Sequence, residues 1–232
     1  MAKSFLPTIF EHPYEIDPKY GKSVAYFSME YAIDNSFKIY SGGLGYLSGS
    51  HMRSAHDLRQ NLVGVGILWS YGYYNQIRAE DGSMATQYMR KNYPFLEDHN
   101  IKFLIHVCGA PVWVKAYFLN PETFGTAPMF FLSTDLEEND EESRNISRRL
   151  YDANGFTRIA QYVLLGKGGA RLFDELGVEP EISWGRWSGT PGLTAWLPPS
   201  TCLPRPAVWK KCASVSFSLP IPRKKPATKR WT

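Results

Sequence analysis

The sequence has little cysteine, no long apolar run and, in its last fifty residues, no acidic residue. Its 232 residues include three cysteines, Cys108, Cys202 and Cys212, which are too few and too scattered for a disulfide framework or a zinc site. No apolar run approaches the roughly 18 residues that a membrane-spanning helix needs. The amino terminus holds one lysine, and Pro7 breaks its apolar pieces, so it is unlike a signal peptide. These absences predict a cytoplasmic protein with no membrane segment and no metal site.

The missing acidic residues divide the chain into two parts. Residues 183–232 contain nine Lys or Arg, eight of the 16 prolines and five of the seven tryptophans, but no Asp or Glu. Residues 1–182 hold the other 17 of the 26 basic residues and all 22 acidic residues, which gives a net charge of −5. Because one domain seldom changes composition so sharply, we predict a structured domain over residues 1–182 and a poorly structured tail over residues 183–232.

The first part alternates between segments that are typical of strands and of helices. Residues 23–28 and 62–69 are short runs of β-branched and aromatic residues, which predict two buried strands. Between them, residues 46–58 have apolar side chains at helical spacing. A strand, a glycine turn, a helix and a second strand form a βαβ unit, which implies a parallel sheet with a right-handed crossover.

The middle of this part favours β structure, and its end favours a helix. We predict strands at residues 71–77, 102–107, 112–119 and 129–132, and we expect them to form hairpins inserted into an α/β frame. Residues 157–176 carry an apolar stripe that predicts a helix ending at Gly177. Glycines at positions 166, 168 and 169 interrupt this helix, so we expect a bend or a close contact there.

The turn between the first strand and the first helix has the sequence Gly42-Gly43-Leu44-Gly45. Glycines let backbone N–H groups approach a ligand without a Cβ in the way. The amino terminus of the following helix adds a partial positive charge, so an anion such as phosphate is the expected ligand. The alternative is a tight structural turn, and the spacing alone leaves both interpretations open.

The wider sequence around this turn resembles a known family. Residues 24–76 resemble the amino-terminal part of the α-glucan phosphorylases, most closely the short bacterial type. The shared features are an aromatic-Ser-x-Glu element (Phe27, Ser28 and Glu30), the SGGLG turn, and the VGVG strand followed by Tyr-Gly-Tyr. These motifs occur in the order that the family uses.

The resemblance extends roughly from Phe5 to Ile182. Residues 158–182 resemble the glycine-interrupted helix that precedes the next strand of the family. One departure follows the turn, where the family often has a small residue, Gly and Asp, and this chain has Ser48, Gly49 and Ser50. The missing carboxylate could alter packing at the amino terminus of the helix.

The resemblance implies a fold, a reaction and a cofactor. The family has the two-lobed GT-B fold, so this chain would form an incomplete, Rossmann-like amino-terminal lobe. The complete enzymes cleave α-1,4-glucan with inorganic phosphate to glucose 1-phosphate, and a lysine of the other lobe holds their pyridoxal phosphate. By motif match, Gly42, Gly43, Leu44 and Gly45 bind the sugar and phosphates, with Glu30 nearby. We expect no catalytic residue and no covalently bound pyridoxal phosphate in this chain.

The resemblance stops after Ile182, and the composition of the tail indicates a shift of reading frame. Residues 218–229 can be encoded so that reading two bases later gives Thr-Thr-His-Thr-Pro-Glu-Glu-Ala-Gly-Asn-Glu, which resembles the family a few dozen residues further on. The same shift suits two other stretches of the tail, and glutamate codons read off-frame become Lys or Arg codons. We therefore expect an out-of-frame tail and a chain without phosphorolytic activity.

A sheet that lacks the family's next strand and helix would leave apolar surface uncovered. We expect partial exposure of Val24, Tyr26, Val63 and Val65, and of the helix over residues 157–176. Such a chain would aggregate or unfold readily.

Two other functions remain open. A GT-B nucleotide-sugar transferase of the glycogen-synthase type also has a Gly-Gly turn after its first strand, but lysine usually stands where this chain has Ser41. A non-enzymatic protein could use the basic tail to bind nucleic acid or an acidic partner. The proline-rich tail contains no recognisable nucleic-acid-binding module, so we expect no nucleic-acid partner.

Overall fold

A mixed sheet of six strands lies at the centre of residues 3–186, the part of the chain that the computed structural model describes. The strands are β1 (Val24–Ser28), β2 (Leu62–Ile67), β3 (Asn75–Arg78), β4 (Met84–Gln87), β5 (Glu97–Val107), β6 (Ala110–Leu119), β7 (Met129–Ser133) and β8 (Ile182–Arg186). Their order in the main sheet is β5-β6-β7-β2-β1-β8, and β3 and β4 form a separate pair.

Four of the six strands of the main sheet, β7, β2, β1 and β8, are parallel, which confirms the predicted βαβ unit and the α/β fold. Val24 of β1 is in parallel register with Leu62 of β2 and with Ile182 of β8. Gly64 of β2 is in parallel register with Met129 of β7. All residues of β2 and β7 are buried. This burial is expected for parallel strands that are covered on both faces.

The helices are α1 (Gly43–Asp57), α2 (Pro121–Phe124), α3 (Glu141–Asn145), α4 (Gly155–Val163) and α5 (Gly169–Glu175), with 3₁₀ turns at Thr8–Phe10 and Pro18–Tyr20. A Cβ placed on Gly64 would lie 2.9 Å from the sulfur of Met52 in α1, and one on Gly169 of α5 would lie 3.2 Å from Val65. Neighbouring residues of a strand point to opposite faces, so α1 and α5 cover opposite faces of the sheet. Within residues 3–186, no helix is long and apolar enough to cross a membrane.

The helix predicted over residues 157–176 is present but divided. A π-helical turn, Leu164–Gly168, separates α4 from α5. A Cβ on Gly169 would lie 2.3 Å from the ring of Phe27, and one on Gly168 would lie 3.0 Å from Leu132. The glycines therefore let the backbone approach the sheet, and the close contact predicted there is confirmed.

The predicted hairpins differ from the observed ones in where they lie. Strands β5 and β6 do form a hairpin, but Phe118 of β6 also pairs antiparallel with Phe130 of β7. This hairpin extends the main sheet and is not a separate insertion. The strand predicted over residues 71–77 is wrong at its beginning, because β3 starts only at Asn75 and pairs with β4 in a small second sheet.

The boundary predicted after Ile182 falls inside β8. Residues 183–186 continue this strand and pair with β1, from Ala25 opposite Ser183 to Ser28 opposite Arg186. The prediction of a poorly structured tail therefore does not hold for these four residues. The rest of the predicted tail, residues 187–232, lies outside the described residues.

The exposure expected for the central strands is confirmed for Val24, which is half-buried, and is wrong for the other three residues. Tyr26, Val63 and Val65 are at most 1% exposed, because α1 and the divided helix cover the two faces of the sheet. The partial exposure expected for the helix over residues 157–176 is confirmed at Ile159, which is 49% exposed, and Trp184 of the edge strand β8 is 52% exposed.

Candidate functional site

The glycine turn lies at the amino terminus of α1, as the sequence predicts. Gly42 is the N-cap residue, and no side chain caps this end of the helix. Gly43 and Leu44 are the first two residues of α1, so their N–H groups have no acceptor within the helix. Gly43 is exposed and Leu44 is half-buried. The turn therefore presents uncapped backbone donors to solvent at the positive end of the helix dipole.

The carboxylate of Glu30 lies directly behind the turn. It is 2% exposed. Its Oε2 atom accepts hydrogen bonds from the N–H groups of Ser41 (2.6 Å) and Gly42 (3.2 Å) and from the Ser41 hydroxyl (3.2 Å). These bonds occupy two donors of the turn and fix its shape. A ligand anion would therefore meet the donors of Gly43 and Leu44.

Tyr151 completes this arrangement from a distant part of the chain. Its hydroxyl donates to Oε1 of Glu30. The Tyr151 backbone has a φ of 59°, in the left-handed region that non-glycine residues seldom adopt. The guanidinium of Arg158 lies 4.4 Å from the centre of the Tyr151 ring. Backbone strain of this kind persists where the surrounding structure holds it, and it occurs often at functional sites.

The segment that carries Tyr151 is held against the chain that follows β2. The N–H of Ser70 donates to the carbonyl of Ser147 (3.0 Å), and the N–H of Leu150 donates to the carbonyl of Gly72 (3.1 Å). The pairing places Tyr151 at the turn although it follows Glu30 by 121 residues. Neither Tyr151 nor Arg158 was predicted as a site residue, and no local signal in the sequence marks either of them.

The glycines of the turn and of α1 have two different surroundings. A Cβ on Gly42 or Gly43 would meet no atom within 4 Å. A Cβ on Gly45 would lie 2.6 Å from the Cβ of Tyr40, and one on Gly49 would lie 2.1 Å from the carbonyl oxygen of Ala32. Packing therefore requires glycine at positions 45 and 49. Nothing in the described part of the chain requires it at positions 42 and 43, where the space is open to a ligand.

A tyrosine cluster, consisting of Tyr73, Tyr74 and Tyr88, has one member near Glu30. The ring centres of Tyr73 and Tyr74 are 4.3 Å apart, and those of Tyr74 and Tyr88 are 6.5 Å apart. The pKa of Tyr73 is raised, first by its hydrogen bond with Tyr74, and also by partial burial and by nearby charges that include Glu30. Among residues 3–186, no group of three His, Cys, Asp or Glu side chains is placed to hold a metal ion.

Comparison with known proteins finds several relatives of this chain. The chain is 36% identical over 176 residues to maltodextrin phosphorylase of Thermococcus litoralis, and the aligned stretch covers 71% of this chain and 20% of that protein. It is 33% identical over 159 residues to glycogen phosphorylase of Mycobacterium tuberculosis, covering 64% of this chain and 18% of that one. It is also 53% identical over 154 residues to an uncharacterized protein of Methanocaldococcus jannaschii, covering 66% and 30%.

Two further comparisons concern family models and solved structures. No protein-family model matches the chain. The catalytic domain of starch synthase IV from Arabidopsis thaliana, bound to ADP and acarbose, superposes with a TM-score of 0.48 and 11% identity, over 71% of this chain and 27% of that one.

Two of these three relatives carry the name of an α-glucan phosphorylase. Over the shared stretch the chain is homologous to the α-glucan phosphorylases, and the predicted resemblance to this family is confirmed. The chain spans 18% to 30% of the length of the three relatives.

Proposed function

We propose that residues 3–186 form part of the amino-terminal lobe of a GT-B glycosyltransferase of the α-glucan phosphorylase type, and that the glycine turn binds phosphate and sugar oxygens there. The observation that carries this proposal is the open space at Gly42 and Gly43 beside the uncapped N–H groups of α1. In the complete enzyme the reaction would be cleavage of α-1,4-glucan by inorganic phosphate to give glucose 1-phosphate.

Each part of the turn has a physical role in this proposal. The N–H groups of Gly43 and Leu44 donate to an anionic oxygen, and the helix dipole stabilises its charge. The absence of a side chain at positions 42 and 43 lets the ligand reach those donors. Glu30 holds the N–H groups of Ser41 and Gly42, so the donors are positioned before a ligand arrives.

In the complete enzyme, pyridoxal phosphate would supply a phosphate group as an acid–base partner of the substrate phosphate. The uncapped donors of the turn suit a phosphate group. The side chains that hydrogen-bond at the turn are those of Glu30, Ser41 and Tyr151, and none of them is an amine that could form an imine. We propose that the turn contributes binding and that this chain alone does not hold the cofactor covalently.

The chain alone is also proposed to lack phosphorolytic activity. Catalysis by two facing lobes requires groups from both sides to be positioned together. The turn supplies hydrogen-bond donors from one side only. Sequencing the DNA around the codon for Ile182 tests the reading-frame hypothesis, which predicts an indel of one or two bases there. Correcting that indel should restore a long reading frame that resembles the family.

The experiment on the turn uses two glycines at equivalent positions of two helices. Gly43 is the first residue of α1, Gly155 is the first residue of α4, and a Cβ on either would meet nothing within 4 Å. Glucose 1-phosphate is titrated into the ¹⁵N-labelled full chain and its variants while the backbone amides are followed by NMR. In the parent chain we expect the amide signals of residues 42–45 to shift as the ligand is added. Gly43→Val should abolish these shifts, whereas Gly155→Val should change their size by less than twofold. Equal binding by Gly43→Val and the parent chain would refute the proposed site.

The cofactor proposal has its own measurement. The full chain is incubated with pyridoxal phosphate, reduced with borohydride and digested for mass spectrometry. We expect no stoichiometric pyridoxyl-lysine at any single position. A stoichiometric adduct at one lysine would show that this chain holds the cofactor by itself.

A further inference from the structure

A polar cavity of about 320 Å³ lies at the carboxyl ends of β2 and β7. Ser70 follows the end of β2 by three residues, and Asp135 follows the end of β7 by two. Because these strands are parallel, their carboxyl ends meet at one edge of the sheet, where open α/β sheets bind ligands. The cavity volume is at the lower end of the range for small-molecule sites, about 300–1,000 Å³.

Arginines dominate the walls of this cavity. The cavity is lined by three arginines, Arg90, Arg144 and Arg148, and by two carboxylates, Asp135 and Glu141. The cavity therefore carries a net positive charge when it holds no ligand.

Asp135 fixes two of the arginines. Its Oδ2 accepts from Nη2 of Arg90 (2.7 Å) and from the hydroxyl of Ser70 (3.1 Å). Its Oδ1 accepts from Nε (3.2 Å) and Nη2 (3.0 Å) of Arg144. The Asp135 side chain is 13% exposed, whereas those of Arg90 and Arg144 are 61% and 42% exposed. The carboxylate thus orients both guanidinium groups while parts of them remain open to solvent.

Arg148 differs from the other two because no carboxylate of residues 3–186 lies within ion-pair distance of it. Its Nη1 donates to Oδ1 of Asn145 (3.0 Å), and its guanidinium lies 4.9 Å from the centre of the Tyr71 ring. Its Nε is buried and has no hydrogen-bond partner in the described part of the chain. Arg148 thus brings a charge to the wall of the cavity without a carboxylate partner, and an anion in the cavity would supply the opposite charge.

We propose that this arginine cavity binds a phosphate dianion, free or as a small monoester, with Arg148 as a principal contact. The planar guanidinium, with five donors in a fixed geometry, matches two oxygens of a phosphate at once. The negative charge of Asp135 offsets the repulsion between Arg90 and Arg144. Its hydrogen bonds orient both guanidinium groups so that their other N–H groups can contact a ligand. The proposal is independent of ligand binding at the glycine turn, since none of the residues that line the cavity belongs to the turn.

The experiment follows the Nε–Hε signals of the arginines by NMR in the ¹⁵N-labelled full chain. Inorganic phosphate is titrated in one series and glucose 6-phosphate in another, at constant ionic strength. The variants are Arg148→Met, which removes the guanidinium, and Arg148→Lys, which keeps the charge without the planar group. Arg171→Met is the matched control, because it removes the same charge from a residue of α5 that pairs with Glu175 (2.6 Å). Circular dichroism checks that each variant is folded.

We expect Arg148 to show the largest shift and Arg148→Met to raise Kd at least tenfold. Arg148→Lys should raise Kd by a smaller factor, and Arg171→Met should change it less than twofold. Tighter binding of glucose 6-phosphate assigns a monoester as the ligand, and equal or weaker binding assigns free phosphate. Equal affinity in the parent, Arg148→Met and Arg171→Met, or no shift at Arg148, would overturn the proposal. Gly43→Val should leave this binding unchanged, which separates its failure from failure of the turn site.

Discussion

The start and the middle of α1 use the same residue for opposite reasons. At positions 42 and 43 an added Cβ would meet nothing within 4 Å, whereas at positions 45 and 49 it would meet Tyr40 and Ala32 at 2.6 and 2.1 Å. Glycine at positions 42 and 43 leaves open space at the surface, whereas glycine at positions 45 and 49 allows close packing in the interior. A glycine-rich motif is therefore not one signal, because part of it serves a ligand and part of it serves packing.

The largest effect on stability should come from adding a side chain at one of the tightly packed glycines. Gly49→Ala would place a methyl group against the backbone carbonyl of Ala32, which cannot rotate away as a side chain can. Because overpacking typically costs about 1–3 kcal/mol and occasionally more, we expect a loss of about 3 kcal/mol or more in the free energy of unfolding. Urea denaturation measures this loss. Ser54→Ala, at an exposed position of the same helix, is the control and should change stability by less than about 0.5 kcal/mol.

An intermediate effect should come from Glu30, which lies between the two groups of glycines. Its Oε2 accepts from the N–H of Gly42 and would lie 3.0 Å from a Cβ on Gly45. Glu30→Gln keeps one acceptor but removes the charge beside the helix terminus, so we expect a loss of about 1–2 kcal/mol.

Tyr151→Phe is the matched variant for Glu30, because it removes only the hydroxyl that donates to Oε1. Thermal unfolding should give a smaller loss for Tyr151→Phe than for Glu30→Gln. If Glu30→Gln matches the parent chain, the carboxylate does not organise the turn.

The smallest effect on stability should come from adding a side chain at one of the glycines that face open space. Gly43→Ala adds a Cβ into free space at the first residue of a helix, where alanine is the better helix former. We expect the free energy of unfolding to change by less than about 1 kcal/mol, in the stabilising direction. A clear destabilisation, measured beside Gly49→Ala in the same urea series, would show that the two groups of glycines do not differ.

Local patterns predicted much of the fold, and contacts between distant segments account for the rest. The βαβ unit followed from two apolar runs and the glycine turn, and the divided helix from its glycines. The sequence could not show that β6 pairs with β7 as well as with β5, because the local pattern of a hairpin strand does not specify its partner on the other side. The exposure expected for Tyr26, Val63 and Val65 was wrong because the helices present already cover both faces of the sheet.

For the candidate site as well, the sequence predicted some residues and not others. The turn and Glu30 belong to motifs that are close together in the chain, and the structure brings them into hydrogen-bond contact. Tyr151 reaches Glu30 only because backbone hydrogen bonds hold its segment beside residues 70–72. No spacing rule relates residues 121 positions apart, so a single sequence gives no signal for this contact.

The π-helical turn at Leu164–Gly168 also sets the rotational phase of the two helices that it joins. A π turn closes its hydrogen bonds over five residues in place of four, so it accommodates one more residue than an α-helical turn. One residue corresponds to about 100° of rotation in an α-helix. Without the extra residue, α5 would be rotated by that angle relative to α4, and Leu172 and Phe173, which are now buried, would leave the sheet. The insertion thus lets one helical segment match two surfaces that a regular helix could not match together.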